Sequence, residues 1–295
     1  DFNTNAIVRI PESVYVHLQH LEKGTANISE CDADVNEILN RLTEQGFLSS
    51  HHWCKIEHPA SRLLENYLEG SVQSLTLQVT QQCNLKCEYC PYSGGFYNRQ
   101  HNNRKMSFEI AKKAIDFYFL HSFDIPDAQI GFYGGEPLLN MKLIQETIAY
   151  MESLHIDNLR FSYNMTTNAM LLGRYMDYLV EKDFTLLISL DGDEYQSGYR
   201  VDKHGKSSFT HVVGNIQKLK DTYPEFFEKN VHFNAVLHDR NSVEGCYKSI
   251  HGLFGKRPRV SELNTNGIIP ERVEEFVRMF NDKTESFKTA LTHDP

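Results

Sequence analysis

The sequence predicts an α/β fold: a partial (β/α)6 barrel of parallel strands wrapped by helices, preceded by a small winged-helix-like module. Three observations carry this. Six short apolar runs recur between residues 74 and 263, and amphipathic stretches of helical period lie between them. Before residue 58 the pattern is separate and more compact. Six units are too few to close an eight-stranded barrel, so the sheet is expected to stay open.

In the first module, residues 1–57, "VYVHL" puts Val14, Val16 and Leu18 on one side of a strand. Asp34 with Glu37 makes a capping-box-like start to a helix in which Val35, Ile38, Leu39 and Leu42 share a face until Gly46 stops the run. "HPASRLLENYLEG" supplies a connecting helix within residues 58–73. The barrel, residues 74–265, takes its strands from "SLTLQVT", "AQIGFY", "LRFSYNMT", "FTLLISL", "VHFNAVL" and "RVSEL". Its helices come from "SFEIAKKAIDFYFLHS" and from residues 141–154, 174–181, 209–221 and 242–254. Strands joined by helices pair in parallel through right-handed crossovers. Within residues 266–295, "ERVEEFVRMFNDKTESFKTALT" reads as one amphipathic helix.

With 295 residues and 40% hydrophobic side chains, the chain can fill one large core and a small one. A formal charge of −9 argues against a phosphate-backbone binder, so no nucleic acid is expected. No apolar run is long enough to span a bilayer and the first residues lack a signal-peptide pattern, so a soluble protein without a membrane partner is expected. The six cysteines show no disulfide framework, which fits a reducing cytoplasm.

Unusual polar residues cluster where strands run into helices, the functional end of such barrels. "CNLKCEYC" (83–90) follows the first strand, "GGEP" (134–137) the second, "TTN" (166–168) the third and "SLDGDE" (189–194) the fourth, with Asn234 and His238 at the fifth. Cys83, Cys87 and Cys90 are one ligand short of a structural zinc site unless His101 joins them. Three thiolates suit a four-iron, four-sulfur cluster, because they leave one iron free to bind something else. "GGEP" reads either as a strand-to-helix turn or as a place where bare backbone and a carboxylate meet a ligand. Ser189, Asp191 and Asn168 read as helix caps or as site residues, and Arg200 as a surface ion-pair partner or a site residue. Arg99, His101, Arg104 and Lys105 read as a solvated loop or as a face for an acidic substrate segment.

Cys83-x3-Cys87-x2-Cys90, with Tyr89 before the last cysteine, resembles the signature of the radical S-adenosylmethionine enzymes. "GGEP" is similar to their methionine-binding motif, and the resemblance covers residues 71–265. "LTLQVTQQCNLKCEYC", "FYGGEPLLN" and "ISLDG…YRVDKHGKSSF" look most similar to the peptide maturases with a SPASM or twitch extension, and "CPYSGGFYNRQHNNRKMS" to maturases of cysteine-rich peptides. The resemblance implies that Cys83, Cys87 and Cys90 ligate a [4Fe-4S] cluster whose open iron chelates S-adenosyl-L-methionine. Gly134, Gly135 and Glu136 would take its amine, Ser189 and Asp191 the ribose or carboxylate, and Arg200 the carboxylate, with Asn168 and Tyr89 completing the pocket. A 5′-deoxyadenosyl radical would then take hydrogen from an unactivated carbon of a precursor peptide. The first module would bind that peptide's leader through a "VYVHL" sheet edge, and a flavodoxin or ferredoxin would deliver the electron.

The auxiliary iron–sulfur clusters of such maturases need cysteines after the barrel, and after residue 90 only Cys246 remains. The expected explanation is truncation before an auxiliary-cluster region. Two rivals stay open: a sulfatase maturase making formylglycine, whose family tends to carry Gln where Tyr133 stands, and a non-catalytic iron–sulfur or leader-binding scaffold.

Overall fold

Local apolar spacing organises the first part of the chain into two helices, α1 (Glu12–Glu22) and α2 (Ala33–Glu44). The computed structural model describes residues 8–25, 31–48, 57–97, 99–156 and 159–293, and the chain divides into two units, Asp1–Leu64 and Glu65–Pro295. In the first unit, Val14 is fully buried with Val35 and Leu39, and Ile10, Leu18 and Ile38 pack around them. This corrects the expected "VYVHL" strand. Val14 and Leu18 lie one helical turn apart on the packed side, while Val16, which a strand would have placed beside them, is 42% exposed. The β-branched residues supplied only a weak preference, and packing against α2 overrides it. The N-cap of α2 is Asp32, two residues before the expected Asp34, and Gly46 follows the helix at φ +86°. The described residues of this unit contain no strand; residues 1–7, 26–30 and 49–56 of the expected module lie outside them.

The first unit ends in a short 3-10 turn at Pro59–Leu63, and α3 (Leu64–Gly70), all but its first residue in the second unit, precedes the sheet. The strands are β1 (Ser74–Thr80), β2 (Asp127–Gly134), β3 (Arg160–Thr167), β4 (Thr185–Ser189), β5 (Val231–Leu237) and β6 (Pro258–Glu262). They pair in parallel in sequence order, β1 to β6, so the sheet is open with β1 and β6 at its edges. Each bound falls within about two residues of the apolar run that predicted it.

The crossover helices are α4 (Phe108–Leu120), α5 (Met141–Ser153), α6 (Leu172–Glu181), α7 (Phe209–Thr222) and α9 (Val243–Phe254), with α8 (Pro224–Asn230) added before β5. Their apolar stripes close on the sheet: Ile115, Ile144, Ile148, Leu179, Ile216 and Ile250 are each fully buried in one core with Ile130, Phe132, Leu186 and Phe233. Burial of this kind, at about 25 cal/mol per Å2, gives a stiff scaffold for the strand ends. Among the described residues no helix is long and apolar enough to cross a membrane.

The expected single helix at 271–292 is two, α10 (Val273–Met279) and α11 (Lys283–His293). Phe280 is extended, the Asp239 amide donates to the Met279 carbonyl, and Asn281 Nδ2 donates to the carbonyls of His238 and Asn241. Asp282 then accepts from the Glu285 amide and starts α11. Bonds to the loop after β5 therefore outweigh continuation of the helix. Phe276 and Met279 of α10 pack with Tyr89, Phe96, Tyr199 and Leu263 beside the cysteine loop.

Candidate functional site

Residues 81–107 leave the C-terminal end of β1 and are tied down on two sides. On one, the Gln81 amide donates to the Arg104 carbonyl and the Met106 amide to the Val79 carbonyl. On the other, the Lys86 amide donates to the Val201 carbonyl at 2.7 Å and the Glu88 amide to the Tyr199 carbonyl at 3.1 Å. Cys83, Cys87 and Cys90 are free thiols, partly buried, and all line one cavity of about 610 Å3 at the ends of the strands. Backbone amides point at two of the sulfurs: Leu85 donates to Cys83 Sγ and Tyr92 to Cys90 Sγ, each at 3.4 Å.

"GGEP" is both the turn and the wall. Gly134, at φ +150°, lies so close to β1 that a Cβ would stand 2.2 Å from the Thr80 carbonyl oxygen, and a Cβ on Gly135 would stand 2.4 Å from that of Gln82. The Gly135 and Glu136 amides donate to those carbonyls, locking the end of β2 to the start of the cysteine loop. Pro137 opens a short 3-10 turn capped by Glu136.

The expected site residues fall into two groups. Cys83, Cys87, Cys90, Tyr89, Gly134, Gly135, Asn168, Ser189 and Arg200 line the cavity; Glu136 and Asp191 do not. Glu136 is fully buried behind it, where its carboxylate accepts from the Leu138 amide, Thr167 Oγ1 and the Asn168 amide. Burial pushes its pKa up to about 7 against the lowering effect of those bonds. Asp191 is also fully buried and accepts from Arg200 Nε and Nη2, both at 2.9 Å, from the Tyr89 hydroxyl at 2.5 Å and from the Val236 amide at 2.9 Å. Burial alone would raise its pKa, but Arg200 and these donors hold it down at about 2. The two carboxylates expected to contact a ligand thus position the neighbours that face the cavity.

Asn168 Nδ2 donates to Asn84 Oδ1 at 2.8 Å and reaches Cys83 Sγ at 3.6 Å. The basic stretch splits: Arg99 and His101 line the cavity, whereas Arg104 and Lys105 do not. His101 Nδ1 bonds the Gln81 carbonyl, and its Nε2 lies 3.9 Å from Cys90 Sγ. Thr166, from the expected "TTN" cluster, also lines the cavity; the sequence reading missed Val236, Glu262, Leu263 and Asn264, which complete the wall. The signal available was position, since "LNTN" directly follows β6.

The sequence profile of the Radical SAM superfamily matches residues 77–245. The chain belongs to that superfamily. The chain is similar to the radical SAM cyclopropyl synthase TigE of Paramaledivibacter caminithermalis, at 25% identity over 93% of this chain and 60% of that protein. It is also similar to the serine-type anaerobic sulfatase-maturating enzyme of Bacteroides thetaiotaomicron, at 31% identity over 47% of this chain and 34% of that one. The chain thus spans about three fifths or less of the length of these curated relatives. The solved structure of native anSMEcpe with bound AdoMet and Cp18Cys peptide shares the fold, with a TM-score of 0.58 at 19% identity, covering 75% of this chain and 58% of that chain.

Membership implies a four-iron, four-sulfur cluster and S-adenosylmethionine, and the donor set of this radical SAM chain fits them. Among the described residues no three His, Cys, Asp or Glu side chains are arranged to hold a single metal ion. Three thiols spread around one cavity instead suit a group with several irons, each taking one sulfur. Burial pushes the thiols of Cys83 and Cys87 up to about 12 and raises that of Cys90, so their ionisation depends on a cationic group in the cavity.

Proposed function

We propose that this chain is the radical S-adenosylmethionine portion of an enzyme that forms thioether crosslinks in a ribosomally made, cysteine-rich precursor peptide. The observation that carries the reading is one cavity walled by three thiols, the bare backbone of Gly134 and Gly135, and the Arg200 guanidinium. The loop "CPYSGGFYNRQHNNRKMS", with its similarity to maturases of cysteine-rich peptides, directs it toward peptide substrates.

Cys83, Cys87 and Cys90 would hold the cluster. When bound, the cluster and S-adenosylmethionine supply an oxidant able to take hydrogen from an unactivated carbon. The residues around them bind and orient. Gly134 and Gly135 let backbone carbonyls approach an amine without a side chain between, Arg200 offers a fork to a carboxylate, and Ser189, Asn168 and Tyr89 offer polar edges to the remainder. Glu136 and Asp191 act one step back, by fixing Asn168 and Arg200. The enclosing walls exclude water from the reacting carbon.

Each thioether removes two hydrogens from the peptide, so an acceptor must take the second electron; auxiliary iron–sulfur clusters outside residues 1–295 fill that role in this reading. An external donor such as flavodoxin or ferredoxin supplies the starting electron in the cytoplasm. Leader recognition is assigned to the first unit, but not through a "VYVHL" edge, because those residues are helical. A second reading, formylglycine formation in a protein, is favoured by similarity to the sulfatase-maturating enzyme. Tyr133, which lines the cavity where such enzymes tend to carry Gln, weighs against it.

The experiment is anoxic incubation of the full-length enzyme containing this chain with S-adenosylmethionine, a reductant and a candidate cysteine-rich precursor. The expected result is 5′-deoxyadenosine together with a peptide lighter by two hydrogens per crosslink. 5′-deoxyadenosine with a Cys or Ser converted to formylglycine in a sulfatase peptide would replace this reading with the second.

A further inference from the structure

Residues 199–202 run alongside the cysteine loop as a strap. Their carbonyls at 199 and 201 take the Glu88 and Lys86 amides, and Leu85 bridges to Asp202 in an antiparallel sense. The strap is braced at Tyr199, whose hydroxyl donates to Asp239 Oδ1 and whose ring lies 3.7 Å from the Arg240 guanidinium carbon. Between its ends, Arg200 turns into the barrel and meets Asp191 in a two-bond fork. The side chains are 8% and 0% exposed, so solvent does little to screen either charge.

We infer that the buried Asp191–Arg200 pair is a charge-neutral lock on the cysteine loop: Asp191 is a positioning residue that holds the Arg200 guanidinium at the cavity wall shared with Cys87 and, through the strap, fixes the backbone of residues 85–88. Asp191 also takes the Tyr89 hydroxyl, so both the strap and the loop hang on one carboxylate. The third group against it is His238, whose Nε2 lies 3.7 Å from Asp191 Oδ2 and whose ring stacks on Tyr89 at 5.7 Å. His238 Nδ1 accepts from the Arg240 amide, and its Nε2 also lies 3.3 Å from Asn241 Nδ2, so the ring is held on both sides. The pair thus brings two opposite charges that cancel to the wall shared with Cys87. Removing one partner leaves a net charge of one sign against the loop, and removing both restores neutrality.

The inference rests on the reading of Cys87 as a cluster ligand, and two measurements on the full chain separate the two ideas. In anoxically reconstituted protein, the cluster's reduction potential should move up in Asp191→Asn, where the guanidinium is uncompensated, and down in Arg200→Met, where the carboxylate is. It should return close to the wild-type value in the double variant. Shifts of one sign for both single variants, or a double variant that does not return, overturn the lock. Hydrogen exchange of the Lys86 and Glu88 amides, followed without cofactor, should quicken by about tenfold or more in Asp191→Asn, as expected for loss of a charge-assisted bond. Unchanged protection there overturns it independently. If the substitutions at Asp191 prevent folding, Arg200→Lys serves: it keeps the charge and so the potential, but loses the fork and so the amide protection. A wild-type chain that takes up no iron counts against the proposed function alone, because the exchange experiment still decides the lock.

Discussion

The front and the back of the cavity are built from the same motifs but do different work. In "GGEP", Gly134 and Gly135 face the cavity while Glu136 stands behind it; in "SLDG", Ser189 faces it while Asp191 stands behind. The front combines bare backbone, thiols and polar groups with the charged side chains of Arg99, Arg200 and Glu262. The back consists of carboxylates whose acceptor sites are filled by neighbouring amides, hydroxyls and one guanidinium. The difference teaches that an acidic residue at the end of a barrel strand need not face the cavity. A buried carboxylate can instead tie a neighbouring strand to the loops that form the wall.

Substitutions sharpen that division. The largest effect is expected from Gly135→Ala, because the new Cβ would stand 2.4 Å from a backbone oxygen of the cysteine loop rather than from a movable side chain. Stability should fall by about 1–3 kcal/mol, and S-adenosylmethionine binding, read by calorimetry on reconstituted protein, should be lost. Retained binding would mean that the two strand ends can separate without harm.

The back should show itself through pH. The folded pKa of Glu136 is raised from 4.5 to about 7, so the folded state holds its proton more tightly than the unfolded state. Its contribution to stability is fully present below about 4.5 and is lost as pH rises to about 7, by about 3 kcal/mol at most. Glu136→Gln should flatten this slope in the thermal midpoint between those pH values. Asp191 runs the other way, with a pKa lowered from 3.8 to about 2: its contribution is present above about 3.8 and is lost as pH falls through about 2. A slope that survives Glu136→Gln would place the titrating group elsewhere.

The smallest effect belongs to Ser189→Ala at the front. Stability should stay within about 0.5 kcal/mol, while S-adenosylmethionine affinity weakens by up to about tenfold through loss of one hydrogen bond. A large loss of stability would move Ser189 to the back group.

The barrel was legible because each strand is an apolar run bounded by polar or turn-forming residues, and buried parallel strands read that way. The cysteine loop and "GGEP" were legible because their spacing is local in the chain. What was not legible depends on partners far away in sequence. The burial of Glu136 is set by Thr167 and Asn168, and that of Asp191 by Arg200 and Val236. "VYVHL" failed for the same reason: α2 decides its shape, and the alternating valines misled. The break between α10 and α11 is made by Asn281 bonding to the loop after β5, which no periodicity within 271–292 could show.

The claim on which the rest depends is that Cys83, Cys87 and Cys90 together hold a four-iron cluster at the mouth of the barrel. Anoxic reconstitution with iron and sulfide, followed by metal and sulfide analysis of the wild-type chain and of the triple Cys83→Ala, Cys87→Ala, Cys90→Ala variant, tests it directly. The account predicts about four irons and four sulfides per wild-type chain, and none in a triple variant that keeps its far-ultraviolet circular dichroism. Iron retained by the triple variant, or stoichiometric zinc in place of iron in the wild-type chain, would contradict it.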